Sequence, residues 1–455
     1  MPDLSTPAKL ERSLGPVDGA SIVISNVIGV GIFTTPGIVA QMAPSPLAML
    51  GVWLVGGALA FAGASAYAEL ATRRPLAGGE YVYLREAFGP LAAFLTGWTS
   101  FVAGFSGAIA AGAVGLAEYL GRYIPAAADT RPLLTIPLIF KSVEISPRTI
   151  VALAAIFLLS AIHIRGLRPG RLLQNTLAGV KVLALLALIA LGFTFGAGSF
   201  SHFARTSSAI RPASWLLALV PVMFSYSGWN AASYVAEEVR SPSRNLPRAL
   251  AFGTAAVVAI YLLLNVLFLY ALPSEQMAGV IRVGDAAAEA LLGARAASFL
   301  TPVILLALAS GTSAMILAGP RVYFAMARDG LFLPAAAKVH PRYRTPAVSI
   351  LAQAGWSSIL VLSGTFEDLL TYTGFAVVLF AGIAVLALFV LRRNSRDEAS
   401  PFRAWGYPVA PATFALASLA IVLNALRERP GPSAAGLLLI GAGVPIYWRL
   451  SRRRN

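Results

Sequence analysis

From about residue 17 to residue 450 the chain is a succession of long apolar runs separated by short polar ones. The hydrocarbon core of a bilayer is about 30 Å thick, and a helix of roughly 20 apolar residues crosses it. Twelve stretches satisfy that requirement: 17–41, 46–72, 88–120, 147–165, 168–196, 213–238, 246–272, 294–326, 346–363, 366–391, 405–427 and 432–450. The predicted fold class is therefore an all-α integral membrane protein with twelve transmembrane helices. Composition agrees, since 57% of the 455 residues are hydrophobic and 12% are charged, where soluble domains run near a quarter. Such a chain is too apolar for intrinsic disorder, and a water-soluble enzyme of this make-up would expose large apolar areas. No cysteine is present, which excludes disulfides, thiolate metal sites and cysteine nucleophiles. His163, His202 and His340 fall at span ends or in loops without metal-ligand spacing, so no metal or cofactor is expected.

The net charge of +15 resembles that of a nucleic-acid binder until the basic residues are placed. Most lie in alternate short loops: Arg73 and Arg74, Arg165 to Arg171, Arg240 to Arg248, Arg392 to Arg396 and Arg449 to Arg454. That asymmetry is the positive-inside signal. It predicts a multi-pass protein of the inner (plasma) membrane with both terminal tails, 1–16 and 451–455, in the cytoplasm. The first apolar run lacks a cleavage pattern, so it is expected to be retained. No loop is long enough to fold alone, and the longest external one, 121–146, reads as a cap. A nucleic-acid-binding or catalytic domain is not expected.

Two spans carry helix-disrupting sequence at mid-depth. The first contains Ser25-Asn26-Val27-Ile28-Gly29-Val30-Gly31-Ile32-Phe33, and each glycine weakens a helix by about 1 kcal/mol relative to alanine. Backbone freed inside a bilayer must find protein, water or ligand. A break here would present the N–H groups of the following half-helix, which suit a carboxylate. Close packing through small residues is the competing reading. The sixth span contains Pro221-Val222-Met223-Phe224-Ser225-Tyr226-Ser227-Gly228-Trp229-Asn230. Breaks in spans one and six, five apart, match an inverted five-plus-five repeat. The expected organisation is repeat one over 17–196, repeat two over 213–391, and two further helices over 405–450.

Lys181 stands in the fifth span about ten residues beyond Arg171, hence roughly 15 Å along the helix axis and near the midplane. A lysine there costs about 2.5–3.5 kcal/mol on insertion scales, so backbone carbonyls are its expected partners. It reads as a fixed cation in place of a bound ion, as a proton carrier, or as a lysine tolerated through a water defect. Acids fall near span ends, as at Glu69, Glu118, Glu237 and Glu238. Glu237 and Glu238 beside Arg240 and Arg244 read either as a cytoplasmic gate or as a solvated loop. Ser310-Gly311-Thr312-Ser313 reads as pocket lining or as helix packing, and Tyr372, Thr373 and Phe375 as a border for the substrate side chain or as aromatic packing. The run 284–292 reads as a short external helix.

Val27 to Phe33 resembles the first-span glycine motif of the amino acid–polyamine–organocation superfamily. Phe224 to Asn230, with Tyr234, Glu237-Glu238-Val239 and Ser241 to Ala249, resembles the sixth span and following loop of the L-type amino acid transporter family. Gly319 to Gly330 and Pro401 to Pro408 extend the likeness. The resemblance implies a LeuT-like fold with broken helices 1 and 6. It implies a substrate-binding set of Val27, Ile28, Gly29, Val30, Gly31, Phe224, Ser225, Tyr226, Ser227, Gly228 and Asn230. In it the substrate carboxylate meets the N–H groups of Val30 and Gly31, and the ammonium meets carbonyls of Val27, Phe224, Ser225 and Ser227. Phe224 resembles a gate, and Lys181 matches the fifth-span lysine of sodium-independent members. Val30 departs from the serine of many relatives, and Ser227 from a common glycine. Animal members pair with a glycoprotein through an external cysteine; this chain has none, so it resembles a stand-alone prokaryotic member.

The function these features imply is sodium-independent transport of neutral L-amino acids by alternating access, as an exchanger. The absence of a mid-span acid disfavours cationic substrates. A proton-coupled symporter, a cationic amino acid or polyamine carrier, and a non-transporting sensor are the alternatives. An enzyme is not expected, because no dyad or metal set sits at membrane depth.

Overall fold

The computed structural model describes residues 10–29, 31–137, 143–204, 211–297, 301–363, 366–394 and 400–452, with 294–297 and 366–374 described as backbone only. Proline starts many of the helices: its missing N–H would be unpaired at the first helical position anyway. The sequence folds into α1 (Pro16–Val27), α2 (Gly31–Met42), α3 (Pro46–Arg73), α4 (Glu80–Phe88), α5 (Pro90–Leu120), α6 (Pro147–Ile164), α7 (Leu167–Phe195), α8 (Pro212–Ser225), α9 (Ala231–Tyr234) and α10 (Pro242–Ala271). These are followed by α11 (Val283–Ala297), α12 (Thr301–Arg328), α13 (Ala347–Ser363), α14 (Phe366–Asn394), α15 (Val409–Glu428) and α16 (Pro430–Ser451). Among the described residues nine helices are long and apolar enough to cross a membrane, or ten if the bent pair α1–α2 is one span. The expected spans 213–238 and 346–363 form shorter apolar helices, α8 and α13. The segment expected as a cap holds an antiparallel pair, Leu134–Ile136 with Val143–Ile145.

The outward faces carry Leu158, Leu172, Leu183, Phe195, Phe252, Leu416 and Leu438, all exposed. Apolar area on this scale suits hydrocarbon, not water, as the surrounding solvent. Inside, α10 lies against α1 and α3, and α12 against α1, α5 and α7. Small residues allow the closest of these crossings. A Cβ on Gly253 of α10 would stand 2.7 Å from Val23 Cβ of α1.

Ion pairs, some buried and some half-exposed, close one end of the bundle. Arg321 Nε and Nη2 donate to Glu238 at 2.9 and 3.1 Å, with both side chains 1% exposed. Arg392 donates to Glu69 at 2.5 and 2.9 Å, and Arg73 lies 3.1 Å from the same carboxylate. Arg328 pairs with Glu237 at 3.1 Å. Arg85 pairs with Asp329. This corrects the expected pairing of Glu237 and Glu238 with Arg240 and Arg244. The segment after Glu238 bonds to the chain before α1, with Arg240 N–H donating to Leu14 O at 2.8 Å, and the Arg240 side chain lies beside Gly15. The arginines that reach the two glutamates come from α12, 83 and 91 residues away in sequence. Nor is this a solvated loop, since Glu238 is fully buried.

The opposite end carries α11, where a short external helix is expected. Asp285 in its first turn lies 3.4 Å from Arg122 and 3.9 Å from Arg282. Burial raises the Asp285 carboxyl above the ordinary aspartate value, and the two arginines pull it only part of the way back.

Two outcomes test this frame. Arg321→Ala leaves Glu238 charged and buried, and should cost about 3–5 kcal/mol, read as a fall in thermal unfolding midpoint in detergent. A double replacement, Glu238→Leu with Arg321→Met, should recover most of it. For Asp285 the folded state holds the proton more tightly than the unfolded chain. Its stabilising contribution is therefore complete below the ordinary value of 3.8 and is lost as pH rises through the raised one. Asp285→Asn should flatten that limb of the melting-temperature profile, and an unaltered limb would remove Asp285 as its source.

Candidate functional site

The helix begun at Pro16 stops at Val27, and after Ile28 and Gly29 the chain resumes as α2 at Gly31 with its axis turned by 44°. Val30 lies outside the described residues. The second interruption follows Ser225, where Tyr226 to Asn230 form a turn before α9. Gly228 has φ of 103°, a region that favours glycine, and a Cβ there would stand 2.7 Å from Asn26 Cβ. Gly31 would likewise place a Cβ 2.7 Å from Ser225 Oγ. The two breaks therefore face each other at backbone contact, and glycine permits it from each side.

Two side chains cover the exposed ends. Tyr261 of α10 donates its hydroxyl to Val27 O at 2.7 Å and lies 3.2 Å from Ser225 O, so one phenol joins both breaks. Lys181 of α7, fully buried, donates to Ile28 O at 2.7 Å and Ser25 O at 3.4 Å, and lies 3.2 Å from Ser310 Oγ. Backbone carbonyls are its partners, as the sequence leads one to expect. Ser225 Oγ bonds Thr35 Oγ1 at 2.7 Å, tying α8 to α2. The expected ammonium acceptors are thus partly engaged: Val27 O and Ser225 O by Tyr261, and Phe224 O by the N–H of Ser227 at 2.9 Å. Val27 O also accepts the N–H of Gly29 at 2.9 Å, and Phe224 O that of Tyr226, so a further donor there displaces one of these bonds.

Cavities flank the breaks. An outer one is bordered by Ile38, Met42, Phe224, Phe375 and Arg429. An inner one, of about 70 Å³, is bordered by Asn26, Glu80, Ser100, Ser227, Gly228, Asn230 and Tyr234. Phe224 borders the first and Ser227 the second, three residues apart on one element. Val27, Ile28, Gly29 and Gly31 contribute main chain at the break and border neither cavity with side chains. Tyr226 also borders neither. Its hydroxyl donates to Trp53 O at 3.2 Å and its ring packs on Trp53 and Tyr261. Phe375 stands at the outer cavity, while the side chains of Tyr372 and Thr373 lie outside the described residues. Ser310 and Ser313 favour the packing reading: Ser310 bonds Lys181 and Ser25, and Ser313 bonds Gln174 and His163. Among the described residues no group of His, Cys, Asp and Glu could hold a metal ion.

The sequence profile of the amino acid permease family matches residues 14–444. The chain belongs to that family. Three relatives span nearly all of it. The serine/threonine exchanger SteT of Bacillus subtilis is 28% identical, covering 98% of this chain and 98% of its own length. Asc-type amino acid transporter 1 of Mus musculus is 28% identical over 96% of this chain and 81% of its own. The b(0,+)-type amino acid transporter 1 of Homo sapiens is 29% identical over 92% and 84%. These relatives are transporters and exchangers, not enzymes.

Sequence reasoning missed three residues of this permease's central region. Tyr261 stands mid-span among apolar residues, with Asn265 one turn on, and nothing along the chain singles it out. Glu80 lies in α4, between spans, and its burial follows from the turn at Gly78 and Gly79, with φ of 114° and 53°. Ser100 opens a π-helical turn over Ser100–Gly104 within α5, a feature that often marks a functional position.

Gly228→Ala should destabilise the permease by about 1–3 kcal/mol through backbone strain and the clash at Asn26. Gly179→Ala, whose Cβ would meet open space within α7, should be neutral or stabilising by about 0.5–1 kcal/mol. Unfolding midpoints in detergent compare the two, and equal effects would remove the special role of Gly228.

Proposed function

We propose that this permease is a sodium-independent exchanger of neutral L-amino acids that works by alternating access. The reading rests on one observation. Two interrupted helices face each other at backbone contact, and a buried ammonium, Lys181 Nζ, already bonds the carbonyls of Ser25 and Ile28. In this reading the substrate carboxylate takes the N–H groups at the start of α2, Val30 and Gly31, with the positive end of that half-helix beneath it. The substrate ammonium takes the carbonyls of Val27, Phe224, Ser225 and Ser227, displacing bonds that Val27 O and Phe224 O now accept, while Phe224 stands between the outer cavity and the site. Main chain on both ends reads the features common to all α-amino acids. Ile28, Gly29, Tyr226, Gly228 and Asn230 complete the set, Tyr226 by holding the turn from the α3 side.

The proposed architecture is LeuT-like, with twelve spans, inverted repeats over 17–196 and 213–391, and two further helices over 405–450. The end closed by Glu238–Arg321 is taken as cytoplasmic, because Arg73, Arg240, Arg248 and Arg392 cluster near it, and the membrane as the inner (plasma) membrane. A cysteine-linked heavy subunit is not part of the reading, since the chain has no cysteine. The name of the B. subtilis relative, a serine/threonine exchanger, supports exchange and a neutral substrate. A proton-coupled mechanism through Lys181 is the second reading, favoured by its complete burial without a carboxylate partner among the described residues.

Counterflow in proteoliposomes against a panel of amino acids, with and without sodium and a pH gradient, tests this. Neutral amino acids should exchange without sodium. Lys181→Ala should lower the rate about tenfold or more, the scale of losing a charge-assisted bond. Dependence on sodium would overturn the exchanger reading, and normal uptake by the variant with an unaltered pH profile would discard both roles of Lys181. Saturable binding without flux would instead indicate a sensor.

A further inference from the structure

The buried acids of this chain are Asp18, Glu69, Glu80, Glu238 and Asp285 among the described residues. Four have an arginine within 4 Å: Asp18 has Arg171 at 3.8 Å, Glu69 has Arg73 and Arg392, Glu238 has Arg321, and Asp285 has Arg122. Glu80 is the exception. Its described partners are phenols: Tyr67 donates to Oε2 at 2.6 Å, and the Tyr234 hydroxyl bonds the same carboxylate. Both bonds are ordinary hydroxyl-to-carboxyl contacts and bring no positive charge to Glu80. No lysine or arginine of the described residues forms an ion pair with it. A buried carboxylate left in this state lacks a cation.

The position of Glu80 says where that cation would come from. It borders the inner cavity together with Asn26, Ser227, Gly228 and Asn230, so it shares open space with the turn of the second break. A chain of hydrogen bonds joins the two. Asn230 Nδ2 donates to Tyr234 Oη at 3.0 Å, and Tyr234 meets Glu80. Glu80 also lies toward the end closed by ion pairs. The turn that introduces it is held there by Gly78 N–H on Tyr234 O at 3.1 Å and by Ala77 N–H on Glu237 at 3.1 Å. Glu80 therefore lies on the side of the breaks that faces that end, in the cavity they border.

We propose that Glu80 is a second binding position for the substrate ammonium, on the cytoplasmic side of the helix breaks, occupied as the amino acid arrives from or departs to the cytoplasm. This rests on the transport reading above and deepens it. The ammonium leaves carbonyl dipoles at the breaks for a full negative charge, and Tyr67 and Tyr234 hold that charge in place without neutralising it. The site discriminates by charge: it takes primary ammonium groups and offers nothing to an analogue lacking one. Glu80 falls between the predicted spans 46–72 and 88–120, so the absence of a mid-span acid does not bear on it.

The test uses the full chain in proteoliposomes of known orientation, with radiolabelled L-serine as the probe, and measures KM separately from each side. Glu80→Gln keeps the shape and the acceptor oxygen while removing the charge. It should raise the cytoplasmic-side KM about tenfold or more, the scale of one bond to a charged group, and leave the outer-side KM within about twofold. Tyr67→Phe separates this from a structural role, because it removes a donor to Glu80 but keeps the charge. It should leave the cytoplasmic KM unchanged or lower it. Equal effects of Glu80→Gln on the two sides, no effect on either, or the same loss in Tyr67→Phe would overturn the proposal while leaving transport by the wild type in place. A wild-type protein that exchanges neither L-serine nor any other amino acid of the panel would overturn the transport reading and this one with it.

Discussion

Main-chain dipoles interrupted in a medium without water dominate this molecule. An intact helix pairs its own N–H and C=O groups, and a bilayer demands that pairing. The chain gives it up at Ile28–Gly29 and again at Tyr226–Asn230, and the surrounding elements are arranged to answer the cost. Tyr261 bridges one carbonyl from each break, Lys181 takes two from the first, and Ser225 reaches back to Thr35. The helices that supply these groups, α7 and α10, pack directly on α1. Their sequence is otherwise apolar in the middle, so the polar groups stand where the breaks need them and scarcely elsewhere.

Charge follows a related rule. Arg321 and Arg392 each meet a buried carboxylate with two hydrogen bonds. Such pairs add little net stability over apolar residues of the same volume, but breaking one leaves an expensive isolated charge. They are therefore suited to an interface that has two allowed arrangements, closed and open. Glu80 departs from the rule, with phenols in place of an arginine, and it departs beside the cavity that the breaks enclose. Membership of the amino acid permease family supplies the context in which a carboxylate awaiting a cation has a use.

Much of the frame was legible along the chain. Apolar length gave nine helices long enough to cross a membrane among the described residues, glycine pairs and the Ser-Gly turn gave the interruptions, and depth along the fifth span gave carbonyl partners for Lys181. These are local properties, since a helix either has 20 apolar residues and no breaker or it does not. One pairing was not legible in this way. Glu237 and Glu238 looked toward Arg240 and Arg244 because those are near in sequence, yet their partners arrive from α12. For Ser313 the chain left pocket lining and helix packing both open, and its bonds to Gln174 and His163, distant in sequence, favour packing.

What the sequence by itself determined is the apolar medium its helices suit and the points where they give way. Each of these depends on hydrophobic length or backbone propensity over a few consecutive residues. What only the tertiary structure decided is which polar groups meet. Glu80 sits between spans in sequence and inside the bundle in space, because the turn at Gly78–Gly79 folds α4 inward. Hydrogen bonds and ion pairs act over about 3 Å, and the contacts that close this site join residues more than a hundred positions apart. No pattern along the chain encodes such a distance; it exists once the helices have packed.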